Sequence, residues 1–377
     1  MIHSFSFSNF TSFQDETTID FTISKKDPTN DGTSSLLSSG IQVSKFMTLI
    51  WPNASGKSNL LKVLAFLRFF LIDAYQLPID ASLSQFLQPF RLMDELDQII
   101  TLSCIFETND IIYEISLTLN DGFVTSETLR MKTRTESRYT WKTIYDRKKS
   151  SKEFRKNASL LFTLERDNDK LSHEILNYWR KISSNIPLVY QPFKMNGIAT
   201  SMHYYIQNPH ELERINELIK KFDFGIKIKI KKSIDSDNYT FQAIHEINGK
   251  EYDSGNLSDG TINMISIMPM IFSTLDTGWM LIFDELDANL HPEVVEAILD
   301  LFASKKYNEH NAQIFFSTHD PRVMNRLFKY QIQLVEKNTM GVSHSWRLDE
   351  MKGVRVEDNY YTKYMAWAYQ AKPNITL

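Results

Sequence analysis

Phe46-Met-Thr-Leu-Ile50 runs without a break into Trp51-Pro-Asn-Ala-Ser-Gly-Lys-Ser58, and Asn59 to Tyr75 then carries Leu60, Leu61, Val63, Leu64, Phe66, Leu67, Phe70 and Leu71 at helical spacing. The order is a short buried strand, a small-residue loop and an apolar helix. A phosphate-binding loop needs this context: a flexible turn after a strand, backbone N–H groups aimed at an anion, a lysine for the outer phosphates and a hydroxyl for Mg²⁺. Gly56, Lys57 and Ser58 supply those parts. The full pattern G-x-x-x-x-G-K-[ST] has a glycine where this chain has Trp51. The bland alternative is an ordinary loop in which Ser58 caps the helix and Lys57 is merely solvated.

Three further elements weigh against that alternative. Trp279-Met-Leu-Ile-Phe-Asp284-Glu285 is an apolar strand ending in two carboxylates, which suits Asp284 to hold Mg²⁺ through water and Glu285 to polarise an attacking water. Ile314-Phe-Phe-Ser-Thr-His319-Asp320 is a second buried strand, ending in a histidine. Gly255-Asn-Leu-Ser258-Asp259-Gly260-Thr261 places a serine and a glycine at the start of a helix that begins near Asn263. It reads as a second anion site or as an N-cap with nothing bound. The candidate nucleotide-binding residues are Asn53, Ala54, Ser55, Gly56, Lys57, Ser58, Asn59, Ser258, Asp259 and Gly260. Ser58 and Asp284 are the candidate metal residues; Glu285 and His319 are the candidate catalytic ones.

Around this frame, Ile2 to Phe7 and Thr18 to Ile23 alternate as an opening β-hairpin, Lys25 to Gly40 reads as an exposed loop, and Ile99 to Leu129 has the period of an antiparallel sheet with a turn at Asn120-Asp121-Gly122. Lys156 to about Ser184 predicts a helix, Ile226 to Ile230 a strand. After Pro292 a helix, a strand Gln313 to Ser317, another helix and a strand Gln331 to Val335 alternate, which argues a mainly parallel α/β sheet. The expected division is residues 1–140 with the phosphate loop, an inserted helical and mixed lobe at 141–250, and 251–377 with the remaining motifs.

The chain has 377 residues, with 42 Lys+Arg against 46 Asp+Glu and a net charge of −4, which excludes a bulk polycation coating nucleic acid. Hydrophobic residues at 42% suffice for a large core, and the single cysteine, Cys104, excludes a disulfide framework or a cysteine zinc cluster. The opening Met1-Ile-His-Ser-Phe lacks a signal sequence, and the apolar runs Val63 to Leu77 and Met264 to Leu275 are interrupted or too short to span a bilayer. A cytoplasmic protein with no membrane partner is expected. Between Arg130 and Lys156 there are eleven Lys/Arg and three Asp/Glu, so this stretch carries +8 and the remainder −12. With Tyr139, Trp141 and Tyr145 interleaved it reads as a nucleic-acid surface, a solvated loop or a docking face for an acidic partner. Lys227, Lys229, Lys231 and Lys232 form a weaker second strip.

The ordered motifs resemble the nucleotide-binding heads of ABC-type ATPases, in the soluble branch shared with chromosome-maintenance proteins, double-strand-break-repair ATPases and overcoming-lysogenisation-defect nucleases. Asn9-Phe-Thr-Ser-Phe, Pro52 to Leu61, Pro89-Phe-Arg-Leu, Ser258-Asp-Gly-Thr, Asp284 to Pro292, Ser317-Thr-His and Tyr361 to Pro373 carry the resemblance. Within that branch the chain looks most like the small ATPases of bacterial anti-phage defence loci, such as those of retron, Septu-like and abortive-infection systems. The resemblance implies an ABC-type head with an N-terminal antiparallel lobe and a mainly parallel core sheet. It implies a homodimer or higher homo-oligomer, with ATP and Mg²⁺ between the phosphate loop of one subunit and Ser258 to Gly260 of another. Lys57 would hold the β- and γ-phosphates, Ser58 and Asp284 position Mg²⁺, Glu285 act as general base and His319 sense the γ-phosphate.

The function implied is a regulatory ATPase of a defence system controlling a separate effector, a nuclease or other toxin. The alternative is a DNA-maintenance ATPase that clamps nucleic acid without a toxin, although no sustained heptad run is present between residues 150 and 250. Three departures from the pattern are Asp259 at the second signature position, His291 where an aspartate is common, and Trp51. An indole at position 51 implies slow turnover, unless its backbone is ordinary and the ring packs into neighbouring strands.

Overall fold

The computed structural model describes residues 1–29, 32–50, 55–90, 99–135, 138–189, 197–221, 225–232 and 239–369. β1 (Ile2–Ser8) and β2 (Thr17–Asp20) form the expected hairpin, with Ser4 opposite Asp20 and Phe7 opposite Thr17. β2 is shorter than its alternation because the Asp20 carboxylate turns forward to accept the Thr22 N–H and hydroxyl. The loop expected at 25–40 is partly a ribbon: β3 (Ser34–Leu36) pairs with β4 (Gln42–Ser44). β5 (Phe46–Ile50) is buried throughout, and α1 (Lys57–Ile72) follows the phosphate loop.

β6 (Ile99–Thr108), β7 (Ile111–Asn120), β8 (Phe123–Thr135) and β9 (Arg138–Asp146) extend the hairpin into a six-stranded antiparallel sheet of order β2-β1-β6-β7-β8-β9. The turn between β7 and β8 has Asp121 at φ 49 and Gly122 at φ 75, the pair of positive angles a two-residue hairpin loop demands. The basic stretch is therefore mostly strand. The single helix expected from Lys156 is two, α2 (Leu160–Arg166) and α3 (Lys170–Arg180). Asn168 at φ 66 breaks the path, and Asp169 caps the second helix by accepting the Ser172 N–H at 2.7 Å.

β10 (Ser183–Ser184), α4 (Gly197–Gln207) and α5 (Pro209–Lys221) lead to a small antiparallel sheet of β11 (Ile226–Lys232), β12 (Tyr239–His245) and β13 (Glu251–Asp253). α6 (Asp259–Thr277) starts four residues before Asn263. β14 (Met280–Phe283), α7 (Pro292–Ala303), β15 (Gln313–Thr318), β16 (Ile332–Lys337), β17 (Ser343–Arg347) and α8 (Tyr360–Met365) complete the chain. The helix expected between β15 and β16 is a pair of 3₁₀ turns, Pro321–Arg326 and Lys329–Gln331, the first capped by Asp320. The aromatic tail forms only the short α8, and Pro373 lies outside the described residues.

The core sheet has the order β10-β14-β15-β5-β16-β17, parallel from β10 through β16 with β17 antiparallel at the edge. Its central strands β5, β14 and β15 are buried along their whole length because both faces are covered. Met47, Leu49, Met280, Ile282 and Phe315 point into a core shared with α1, α3 and the antiparallel sheet. Phe46, Ile50, Leu281, Phe283, Ile314 and Phe316 point into a second core with α5, α6 and α7. Parallel strands end on the same side, so the carboxyl ends of β5, β14 and β15 converge and bring Lys57, Asp284, Glu285 and His319 to one rim. The architecture is the expected one: an antiparallel N-terminal lobe, a mainly parallel core sheet flanked by helices, and a smaller mixed lobe.

Candidate functional site

α1 begins on Gly56, whose φ of 110 is open to glycine and strained for any other residue, and among the described residues no side chain caps the helix there. The reading of Ser58 as the helix cap is thus replaced: Ser58 lies inside the first turn. Beneath the loop, Ser343 at the start of β17 donates its hydroxyl to the Ser55 carbonyl at 2.7 Å and stands 2.8 Å from the Ser12 hydroxyl, which also accepts from Asn59 Nδ2 at 2.9 Å. A Cβ on Gly56 would stand 2.6 Å from Ser343 Oγ and 2.9 Å from Ser12 Oγ. Gly56→Ala therefore combines a disfavoured φ with a clash against the loop's own floor, at a cost of about 1–3 kcal/mol. We expect a lower unfolding midpoint in denaturant and weaker ATP binding by calorimetry; wild-type values for both would refute the account. Trp51, Asn53 and Ala54 lie outside the described residues.

The two carboxylates sit where β14 ends. Ser317 on β15 donates its hydroxyl to Asp284 Oδ1 at 2.5 Å and accepts the Glu285 N–H at 2.7 Å. Glu285 itself has φ 54, a left-handed turn that swings its side chain away from the strand direction. Asn185 bonds both the N–H and the carbonyl of Asp284 from the other side. His319 completes a relay: Nε2 lies 3.2 Å from Glu285 Oε1 and Nδ1 lies 3.2 Å from Lys57 Nζ, while its backbone N–H donates to the Asp287 carboxylate at 3.0 Å. Lys57 is 6% exposed. Burial pulls its ammonium down to about 8, with Asp284, Asp287 and Glu285 opposing the shift.

The second anion site is built differently. Ser258 caps α6 by accepting the Thr261 N–H at 3.2 Å, so its structural role is filled. Gly260 fits because a Cβ there would meet the Asn289 carbonyl at 2.7 Å, and Asn263 Nδ2 donates to the Ala288 carbonyl at 2.6 Å. Ser258 and Asp259 are exposed, and the Ser258 hydroxyl also lies 2.9 Å from the Thr261 hydroxyl.

A nucleotide with its magnesium ion fits the first site. The desolvated Lys57, the uncapped N-terminus of α1 and the Ser55 hydroxyl, buried without a partner among the described residues, form a donor set for phosphate. Ser58 and Asp284 would supply a hydroxyl and a carboxylate to a magnesium ion that took its other ligands from phosphate and water. Among the described residues no cluster of three or more His, Cys, Asp or Glu could hold a metal on its own.

Residues 46–325 match the family described as "AAA domain, putative AbiEii toxin, Type IV TA system". The chain belongs to that family. Similar solved structures include an SMC head domain from Thermotoga maritima, at 15% identity and a TM-score of 0.44 over 92% of this chain and 98% of that one. Another is the Smc head domain with an extended coiled coil bound to the C-terminal domain of ScpA, derived from Pyrococcus furiosus, at 13% identity and 0.45 over 93% and 97%. No curated protein matches the sequence. In this AAA-domain chain the structure adds Ser12, Asn185, Asp287, Ser317 and Ser343 to the residues marked from sequence. Ser12, Asp287 and Ser317 fall inside quoted motifs; Asn185 and Ser343 carry no local chemical signal of their own.

The aromatic and cationic interleaving at 130–156 is satisfied largely within the fold. Arg130 pairs with Glu114 and lies 5.2 Å from the Trp141 ring centre, with Lys132 at 5.5 Å. Arg147 and Arg155 turn inward onto backbone carbonyls. Lys142, Lys148 and Lys149 are exposed. Among the described residues no helix is long and apolar enough to cross a membrane.

Proposed function

We propose that this chain is an ATP-binding and ATP-hydrolysing regulatory subunit of a bacterial anti-phage defence system, assembling through ATP and controlling a separate nuclease or other toxin. The observation that carries the ATPase reading is the hydrogen-bonded series Lys57, His319, Glu285 beside the Ser317-held Asp284. The toxin–antitoxin wording of the family description supports the defence setting. Lys57 and the start of α1 bind the phosphates, Ser58 and Asp284 hold Mg²⁺, Glu285 takes a proton from water, and His319 ties the base to the phosphate-binding lysine. Bound Mg²⁺ neutralises phosphate charge. The exposed Ser258 and Asp259 remain for the nucleotide of a second copy, which makes the active form a homodimer or higher oligomer. Exposed cations of the basic stretch that could meet nucleic-acid phosphates include Lys142, Lys148, Lys149, Lys152 and Lys156.

Lys57→Ala should weaken ATP binding by about 10–100-fold, since a charge-assisted contact in a desolvated site is lost, and should abolish ATP-dependent growth in molecular mass. The Lys57 cation is the binding form. With its free value near 8, ATP affinity should be flat below that pH and fall by up to about tenfold per unit above it. Calorimetry and light scattering between pH 6 and 9.5 check both statements. A wild-type chain whose mass ignores ATP and Mg²⁺, alone and with the product of its neighbouring gene, would overturn the assembly reading.

A further inference from the structure

β10 pairs with β14 only at Ser183 opposite Leu281 and Ser184 opposite Ile282. One more ladder bond follows, from the Asn185 N–H to the Ile282 carbonyl at 3.2 Å, and the next N–H, of Ile186, turns instead to the Ser184 hydroxyl at 3.1 Å. Asp284 thus reaches past the end of its neighbouring strand, where its N–H and carbonyl would have no backbone partner on that side. The Asn185 side chain fills the gap. Its Oδ1 accepts the Asp284 N–H at 2.7 Å and its Nδ2 donates to the Asp284 carbonyl at 3.0 Å. A carboxamide is the side-chain group that repeats the donor and acceptor of a peptide, so the pairing fixes the orientation of the group.

We propose that Asn185 is a positioning residue for hydrolysis, acting through Asp284 and Glu285; the inference rests on the ATPase reading above. On the β15 side Ser317 holds the Asp284 carboxylate and the Glu285 N–H, and on the β10 side Asn185 holds the Asp284 backbone. Between these two holds the chain makes the left-handed turn at Glu285, φ 54, a conformation that a non-glycine residue keeps only where its surroundings over-determine it. Release of one hold lets residues 284 and 285 relax, and both carboxylates move off the geometry that proton transfer and metal placement need. Lys57 and the phosphate loop sit on other elements and keep their nucleotide affinity.

The test compares wild type, Asn185→Ala, Asn185→Asp and Lys57→Ala as full chains. Hydrogen–deuterium exchange without nucleotide is read on the peptide spanning 280–288, and steady-state kinetics are measured with ATP and Mg²⁺. In Asn185→Ala we expect the Asp284 amide to exchange at least about tenfold faster, reflecting the lost buried bond, with Asn185→Asp intermediate because it keeps the acceptor alone. We expect kcat about 10–100-fold lower with KM for ATP within about threefold. Unchanged exchange and unchanged kcat in Asn185→Ala would overturn the inference and leave the ATPase reading standing. A parallel loss of KM and thermal midpoint would also overturn it, by making Asn185 merely structural. A wild-type chain that hydrolyses no more ATP than Lys57→Ala would remove both.

Discussion

Glu285→Gln is expected to lower the turnover number for ATP by about 10²–10³-fold while leaving ATP affinity within a few-fold, the signature of a lost general base. The substitution is close to isosteric. A glutamine at 285 still presents an acceptor to His319 Nε2, which lies 3.2 Å from Oε1, and its backbone N–H still donates to Ser317. What it lacks is a lone pair basic enough to take a proton from water. Of the two other carboxylates at this rim, Asp284 has its Oδ1 engaged by the Ser317 hydroxyl and its backbone paired with Asn185, and Asp287 accepts the His319 N–H, so both are poorly placed to take over. Because binding survives and hydrolysis does not, the ATP-dependent assembly should accumulate in the mutant and persist longer than in wild type by size-exclusion chromatography with light scattering. A mutant with wild-type kcat would place the base elsewhere and reduce Glu285 to a residue that orients His319.

The parts of this fold that were legible in the sequence are those whose burial writes a continuous signal. Phe46 to Ile50, Met280 to Phe283 and Gln313 to Thr318 are buried on both faces, so each reads as a mostly apolar run without alternation, and the group that ends or follows it marks chemistry. Elements fixed by one residue's local bonding escaped. Asn168 splits a helix by taking a left-handed φ, and Asp20 ends a strand by turning its carboxylate onto Thr22. Periodicity is blind to both. The supports of the site escaped for a different reason. Ser343 reaches Ser55 across 288 residues, and Asn185 reaches Asp284 across 99. A serine or asparagine at such a separation looks like any other polar residue until the sheet order is known. Composition also showed the eleven cations of residues 130–156 without showing what they face, because Glu114 and Glu127 lie in the strands that precede them.

Arg147→Ala should destabilise the fold by about 3–5 kcal/mol, since it strands a buried carboxylate. The Arg147 guanidinium is 2.8 Å from Glu127 Oε2, with side chains only 9% and 2% exposed, and donates to the carbonyls of Arg155 at 3.0 Å and Ala158 at 2.6 Å. Glu127 also accepts the Ser159 hydroxyl at 2.5 Å and the Leu160 N–H at 2.8 Å, so the pair ties β8 to the start of α2. Loss of the arginine leaves that carboxylate without its charge partner and two carbonyls without their donor. The double variant Arg147→Met, Glu127→Leu should recover only part of the loss, because it avoids an unpaired buried charge but still leaves the Ser159 hydroxyl, the Leu160 N–H and two carbonyls without these partners. Denaturant midpoints of Arg147→Met, Glu127→Leu and the double variant close the cycle; Arg147→Ala within about 0.5 kcal/mol of wild type would show the pair to be solvated. The same geometry separates two explanations of any nucleic-acid binding by this stretch. A charge reversal at Arg147 would weaken retention through unfolding. Reversal of the exposed Lys142, Lys148 and Lys149 to glutamate should leave the denaturant midpoint near wild type, so a gel-shift loss in that variant reports a phosphate contact and nothing else.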